Sequence, residues 1–198
     1  MKVSDIPWKQ GGGYGAVAYF VSYIFAATFF YLDHLGTQLQ YSDASTTESI
    51  ALITTIFHNG LFVGTQLGGG ESLLSPDAPL CGPMTCLEFF GADQGMLFVP
   101  AYHVIPPLVL LGIGALVAYT VEPKDRLEAL LTGASLALGF VVVMLAVVLI
   151  FRFGVGFSID PVMAVVAGIA YPVVFGSIGA LVGNELVGAT ASSGTATS

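Results

Sequence analysis

Positive charge is what this sequence has least of. Only 5 of its 198 residues are Lys or Arg, against 13 Asp or Glu, for a formal net charge of -8. Nucleic acids and anionic lipid surfaces are held by clusters of Lys and Arg, so the chain is not equipped for either. Charge of both signs is scarce: charged residues make up 9% of the chain and hydrophobic ones 55%, whereas soluble domains average about 25% charged residues. That composition belongs to a membrane protein, and the length allows one compact bundle. Also missing are a nucleophile elbow, a phosphate-cradling glycine loop, a haem motif and a zincin signature. Neither catalysis nor a cofactor is expected.

Four apolar runs are there in their place. They cover Gly15–Leu32, Tyr102–Val121, Leu127–Phe151 and Val162–Leu186, each of membrane-spanning length. No Asp, Glu, Lys or Arg interrupts their cores. Coupled transporters, proton relays and voltage sensors usually need ionisable groups at that depth. The strongest polar groups within the runs are hydroxyls, among them Ser22, Tyr23, Ser135 and Ser177. The fold class this predicts is an all-α integral membrane protein, a four-transmembrane-helix bundle with a folded extracellular loop between helices 1 and 2. Its segments are 1–32 (flank and first span), 33–100 (acidic loop), 101–187 (three further spans) and 188–198, a small polar cytoplasmic tail expected to be disordered.

The distribution of cations orients the chain. Lys2, Lys9, Lys124 and Arg126 fall on one side of a four-span layout, with Arg152 the exception. The positive-inside rule makes that side cytoplasmic and puts both termini there, at the plasma membrane. The loop Asp33–Pro100 then lies outside. It contains no Lys or Arg, but holds Asp33, Asp43, Glu48, Glu71, Asp77, Glu88 and Asp93. Such acidity fits either plain solubility or a very salty environment, where carboxylates keep a surface hydrated. Within the loop, Ser45 and Glu48 have capping-box spacing, and Ile50, Ile53, Ile56 and Phe57 recur at helical spacing. A helix over 46–58 is expected, too short to span, lying on the membrane surface or capping the bundle. A short strand is expected over 61–67.

Three sets of residues are candidates for a site. Cys81 and Cys86, the only cysteines, fall on the oxidising side and are expected to form a structural disulfide. Their spacing lacks the C-x-x-C pattern of redox and zinc sites. His34, His58 and His103 would all lie near the outer surface, where loop packing accounts for them better than a metal centre does. In the fourth span, Ala164, Gly168, Gly176, Ala180 and Gly183 form a small-residue face for close helix packing, within the chain or between protomers. Pro172 in mid-span offers the competing reading of a kinked gating helix.

Two stretches carry a family resemblance. Pro7-Trp8-Lys9 followed by Tyr14-Gly15-Ala16-Val17-Ala18-Tyr19, and Phe57-His58-Asn59-Gly60-Leu61-Phe62-Val63, resemble a family of uncharacterised haloarchaeal membrane proteins often loosely labelled transporters. The resemblance implies an extreme halophile and a plasma-membrane location, and brings no catalytic residues with it. Animal tight-junction tetraspan proteins share the layout of an outer loop with a cysteine pair, but their tryptophan-containing loop motif is missing. The expected function is a non-enzymatic interaction or accessory component of the cell envelope. Its partners would be the lipid bilayer and another membrane protein or copies of itself. A small homo-oligomeric channel or transporter is the alternative.

Overall fold

A computed structural model describes residues 8–37, 46–67, 99–154 and 157–193. Helices dominate: α1 (Trp8–Thr37), α2 (Thr46–Gly60), α3 (Val99–Val121), α4 (Arg126–Ala134), α5 (Leu136–Gly154), α6 (Pro161–Tyr171) and α7 (Ser177–Ser193). A π-helical turn, Pro172–Gly176, joins α6 to α7. Four stretches are long and apolar enough to cross a membrane: Trp8–Leu32, Tyr102–Val121, Arg126–Phe153 and Pro161–Leu186. Large side chains such as Val142, Ile150, Val162 and Tyr119 are exposed on them.

The ends of these helices are chemically marked. Asp125 has extended backbone and accepts from the Glu128 N–H at 2.8 Å, while the Glu128 carboxylate accepts from the Lys124 N–H at 2.9 Å. Two otherwise orphaned donors at the start of α4 are thereby satisfied reciprocally. Asp160 does the same for α6, its Oδ1 accepting from Val162 and Met163 N–H at 2.9 and 3.1 Å. Pro161 opens that helix, where a missing N–H costs nothing.

The third expected span is present as Arg126–Phe153, with a one-residue interruption, and one expected strand is corrected. In that span α4 ends at Ala134 and α5 begins at Leu136. Ser135, between them, turns its hydroxyl onto the Thr132 carbonyl at 2.6 Å, and such local side-chain bonding competes with the helical ladder. The expected strand over 61–67 shrinks to β1, Thr65–Leu67, because His58 O accepts from both Leu61 and Val63 N–H and curls the chain first. β1 pairs antiparallel with β2 (Phe157–Ile159) in the register Thr65↔Ile159, Gln66↔Ser158 and Leu67↔Phe157.

The chain divides into two compact units. Unit one takes in residues 1–20, 107–143 and 168–198; unit two takes in 21–106 and 144–167. Tyr19, Leu110, Val117, Leu136 and Phe140 are buried in unit one, with Tyr19 and Phe140 meeting edge to face at 5.3 Å. Ile56, Phe57, Leu61, Tyr102 and Met144 are buried in unit two.

Arg126 and Glu185 form an ion pair at 3.0 Å, with side chains 79% and 64% exposed. Water screens such a pair, so Glu185→Gln is expected to change stability by no more than about 0.5 kcal/mol in a thermal melt.

Candidate functional site

Unit one is held together by backbone meeting backbone. Gly15, Gly114, Gly133, Gly139, Gly176, Gly179 and Gly183 sit where helices touch, and a methyl group at these positions would collide with main-chain atoms. At Gly133 the added atom would strike the Gly176 carbonyl and Ser177 Cα; at Gly114, the same Gly176 carbonyl and the Ala180 nitrogen. Gly176 in turn faces the Gly133 carbonyl and a Leu136 methyl, Gly179 faces Leu111, and Gly183 faces Ala115. On the other side of α4 and α5, Gly15 meets Leu136 and Phe140, while Gly139 meets Gly12 and Ala16. Such approaches are how apolar helices associate where lipid removes the hydrophobic drive.

The structure therefore places the small face of span four inside the chain. Gly176 and Gly183 lie in these contacts, Gly168 and Ala180 are buried in the same unit, and Ala164 is buried in unit two. The π turn falls on the same face: Pro172 supplies no N–H to continue the α ladder, and a wider turn follows it. Packing and irregular geometry thus coexist at one place.

Hydroxyls in this unit are turned onto the chain. Ser177 Oγ donates to the Leu130 carbonyl at 2.9 Å, tying α7 to α4. Thr132 Oγ1 is buried with no hydrogen-bond partner among the described residues. No sequence signal distinguishes Thr132 or Gly133 from their neighbours.

Unit two is organised by α2, and of the two placements expected for it, on a surface or capping the bundle, its buried residues disfavour the first. Thr46 and Ile50 at its start are exposed, whereas Ala51 and every residue from Ile53 to Leu61 are buried. The physical reason is that its polar side chains bond back to their own helix. Thr54 Oγ1 donates to the Ile50 carbonyl at 2.8 Å, the His58 ring to the Thr54 carbonyl at 2.7 Å, and Asn59 Nδ2 to the Thr55 carbonyl at 2.9 Å. Donors satisfied in this way can be buried without the full desolvation penalty. Tyr23 reaches across from α1, its hydroxyl 3.0 Å from Thr54 Oγ1 and its ring edge-on to Phe57 at 5.5 Å. A Cβ on Gly60 would strike the Tyr102 carbonyl, so α2 ends hard against α3.

A carbonyl only accepts, so His58 Nδ1 carries the proton and the ring is neutral or doubly protonated. Burial pushes the imidazole down from its ordinary 6.5 to about 4, with the bond to Thr54 pulling the other way. His103, on α3, donates from Nδ1 to the Gly60 carbonyl at 3.2 Å and lies over the Phe62 ring at 5.1 Å. His58 and His103 thus flank one helix end, each engaged with a backbone carbonyl. The side chain of His34, like Cys81 and Cys86, lies outside the described residues. Among the described residues, no group of three or more His, Cys, Asp or Glu gathers to hold a metal ion.

Four helices long and apolar enough to cross a membrane suggest a multi-pass membrane protein. The chain belongs to a family of unknown function, DUF7978, which matches residues 2–186. No curated protein and no solved structure matches it.

Proposed function

We propose that this protein is a non-enzymatic accessory component of the cell envelope, a plasma-membrane scaffold that presents its acidic outer loop to another membrane protein or to copies of itself. The observation that carries this reading is the use made of the small-residue face. Gly133, Gly176, Gly179 and Gly183 are spent on contacts within the chain, and Ser135 and Ser177 bond to backbone carbonyls. That supports packing rather than a polar path in unit one, and shifts assembly contacts from the helix faces to the loop. The acidic composition and the family resemblance support an extremely halophilic, archaeal source. Purification in native lipid is expected to recover a stoichiometric membrane partner or a defined homo-oligomer. A monomer with no partner would refute the reading.

A small channel or transporter is the second reading, favoured by one observation. The π turn Pro172–Gly176 touches the α4/α5 break through Gly133, and interrupted helices are where transporters build their sites. Saturable solute flux through vesicles holding only the purified protein would establish it; no flux above empty vesicles is expected.

The orientation we propose has both termini and Lys124 inside and the loop outside, with Cys81 and Cys86 bridged. In a background with both cysteines changed to Ser, an impermeant maleimide added to intact cells is expected to label Ser72→Cys and spare Lys124→Cys. The opposite pattern would invert the topology. Intact mass of the unreduced wild type, short by two hydrogens, checks the bridge.

A further inference from the structure

The turn that closes α2 puts one large side chain where neither packing nor backbone preference favours it. His58 O accepts from Leu61 N–H at 3.0 Å and from Val63 N–H at 2.9 Å, and Asn59 O accepts from Phe62 N–H at 2.9 Å. To close the turn, Phe62 adopts φ 59, a left-handed conformation that bulky side chains disfavour. Strain of this kind persists only where the surroundings hold it, and it collects at functional positions. Leu61 and Val63 on either side are fully buried, whereas Phe62 is left 39% exposed. A ring whose task was to fill the interior would lie with them.

Two contacts hold the ring in that position, both from His103 on α3. Its Nδ1 hydrogen-bonds the Gly60 carbonyl at 3.2 Å, and its imidazole lies along the Phe62 ring at 5.1 Å with a tilt of 30°. Val104, the next residue of α3, is exposed as well. His103 is the second residue of the apolar stretch Tyr102–Val121, Tyr31 the last but one of Trp8–Leu32, and Phe153 the last of Arg126–Phe153. All three ends belong to unit two, and Tyr31 and Phe153 are exposed. A chain that crosses a bilayer four times alternates in direction, so these ends lie on one side. Aromatic rings collect at that level, and phenylalanine serves as an apolar anchor for segments that lie along it. Contact with His103 puts Phe62 at the same level, although it is carried by the loop and not by a span.

We propose that Phe62 is a loop-borne membrane anchor: its ring enters the boundary between acyl chains and headgroups beside His103, and holds the start of β1 down on the bilayer. Continuity names lipid as the occupant, because the exposed Val104, Tyr31 and Phe153 mark the span ends at the same level.

The sequence beyond the turn needs such an anchor. Residues 68–100 hold Glu71, Asp77, Glu88 and Asp93 and no Lys or Arg. Carboxylates stay in water, and without cations the segment has no electrostatic pull toward anionic headgroups. An apolar side chain is what remains to seat this end of the loop. Its hold extends to the ribbon, since Gly64 O accepts from Asp160 N–H at 2.9 Å and β1 pairs with β2. The anchor goes beyond the scaffold reading and does not depend on it.

Trp8 is the chain's single tryptophan, so Trp8→Phe combined with Phe62→Trp puts one indole at the turn of the full chain. In phosphatidylcholine vesicles, lipid brominated near the top of its acyl chains is expected to quench that indole by more than about twofold, and acrylamide in the water far less. Stronger quenching by acrylamide than by brominated lipid would overturn the proposal. So would resistance to both, which would mean that protein covers the ring, from a partner or a second copy. Should this variant fail to fold, a fluorophenylalanine at position 62 keeps the native ring. Its fluorine resonance must then respond more to dissolved oxygen, which concentrates in lipid, than to an aqueous nickel chelate, and the reverse order refutes the anchor. Phe62→Gly tests the holding role, because glycine keeps the φ that the turn requires. With Cys81 and Cys86 changed to Ser, a spin label on Gln66→Cys is expected to gain at least about twofold in accessibility to the chelate when Phe62→Gly is added. Phe62→Trp is expected to leave the label at its original value. Accessibility unchanged by Phe62→Gly would show that the ring does not hold the loop down.

Discussion

Gly133→Leu is expected to be the most damaging single substitution in the described structure, costing about 3 kcal/mol, at the top of the usual range for overpacking. The first carbon of any side chain at Gly133 meets the Gly176 carbonyl and Ser177 Cα, and backbone cannot rotate away as a side-chain end can. The same substitution at Gly112, where a Cβ would meet nothing within 4 Å, is expected to stay within about 0.5 kcal/mol of wild type. Unfolding of the two variants in matched lipid separates close contact from general loss of glycine. Equal effects at the two positions would show that the seam along α4, α5 and α7 is not what holds unit one.

Acid is expected to produce the second large effect. The unfolded chain takes a proton on His58 near 6.5, and the folded chain only near about 4. Below 6.5 the unfolded state binds more protons, so stability falls as pH drops and levels off below about 4. A gap of about 2.5 pH units corresponds to about 3 kcal/mol, fully present above 6.5. His58→Gln should flatten this slope without altering the plateau's position on the pH axis for other groups. A denaturation series with a steeper loss above 6.5 than below it would contradict the assignment to His58.

The four spans are legible in the sequence because apolar runs of that length have few other uses. The first begins earlier than hydropathy suggests, at Trp8 rather than Gly15, since glycines that weaken a helix in isolation are here contact surfaces. Gly11 and Gly15 both face α4–α5 atoms. Three features were hidden. The break at Ser135 leaves no trace in hydropathy, because it comes from one hydroxyl bonding to Thr132. The enclosure of α2 was hidden because Thr54, Thr55, His58 and Asn59 read as a polar face, whereas Thr54, His58 and Asn59 turn their donors back onto their own helix. The left-handed Phe62 violates a residue preference outright, and sequence preference assigns that conformation to the neighbouring Gly60. The small face of span four was visible as a pattern, yet its partners, Leu111, Ala115 and Gly133, could only be found in three dimensions.

The glycine seam also sets how this protein can vary over generations. Every single-base change to a glycine codon that alters the amino acid adds at least one carbon or stops the chain, so drift at Gly133, Gly139 or Gly176 runs in one direction only. A lost leucine on the outer faces can be replaced by valine or isoleucine and recovered later. A lost seam glycine has no near synonym, and at Gly133 and Gly139 the opposing atoms are backbone, which carries no side chain to shorten. Lineages should therefore exchange their outward-facing residues freely while the contact glycines stay fixed or change together with a shift of the whole helix.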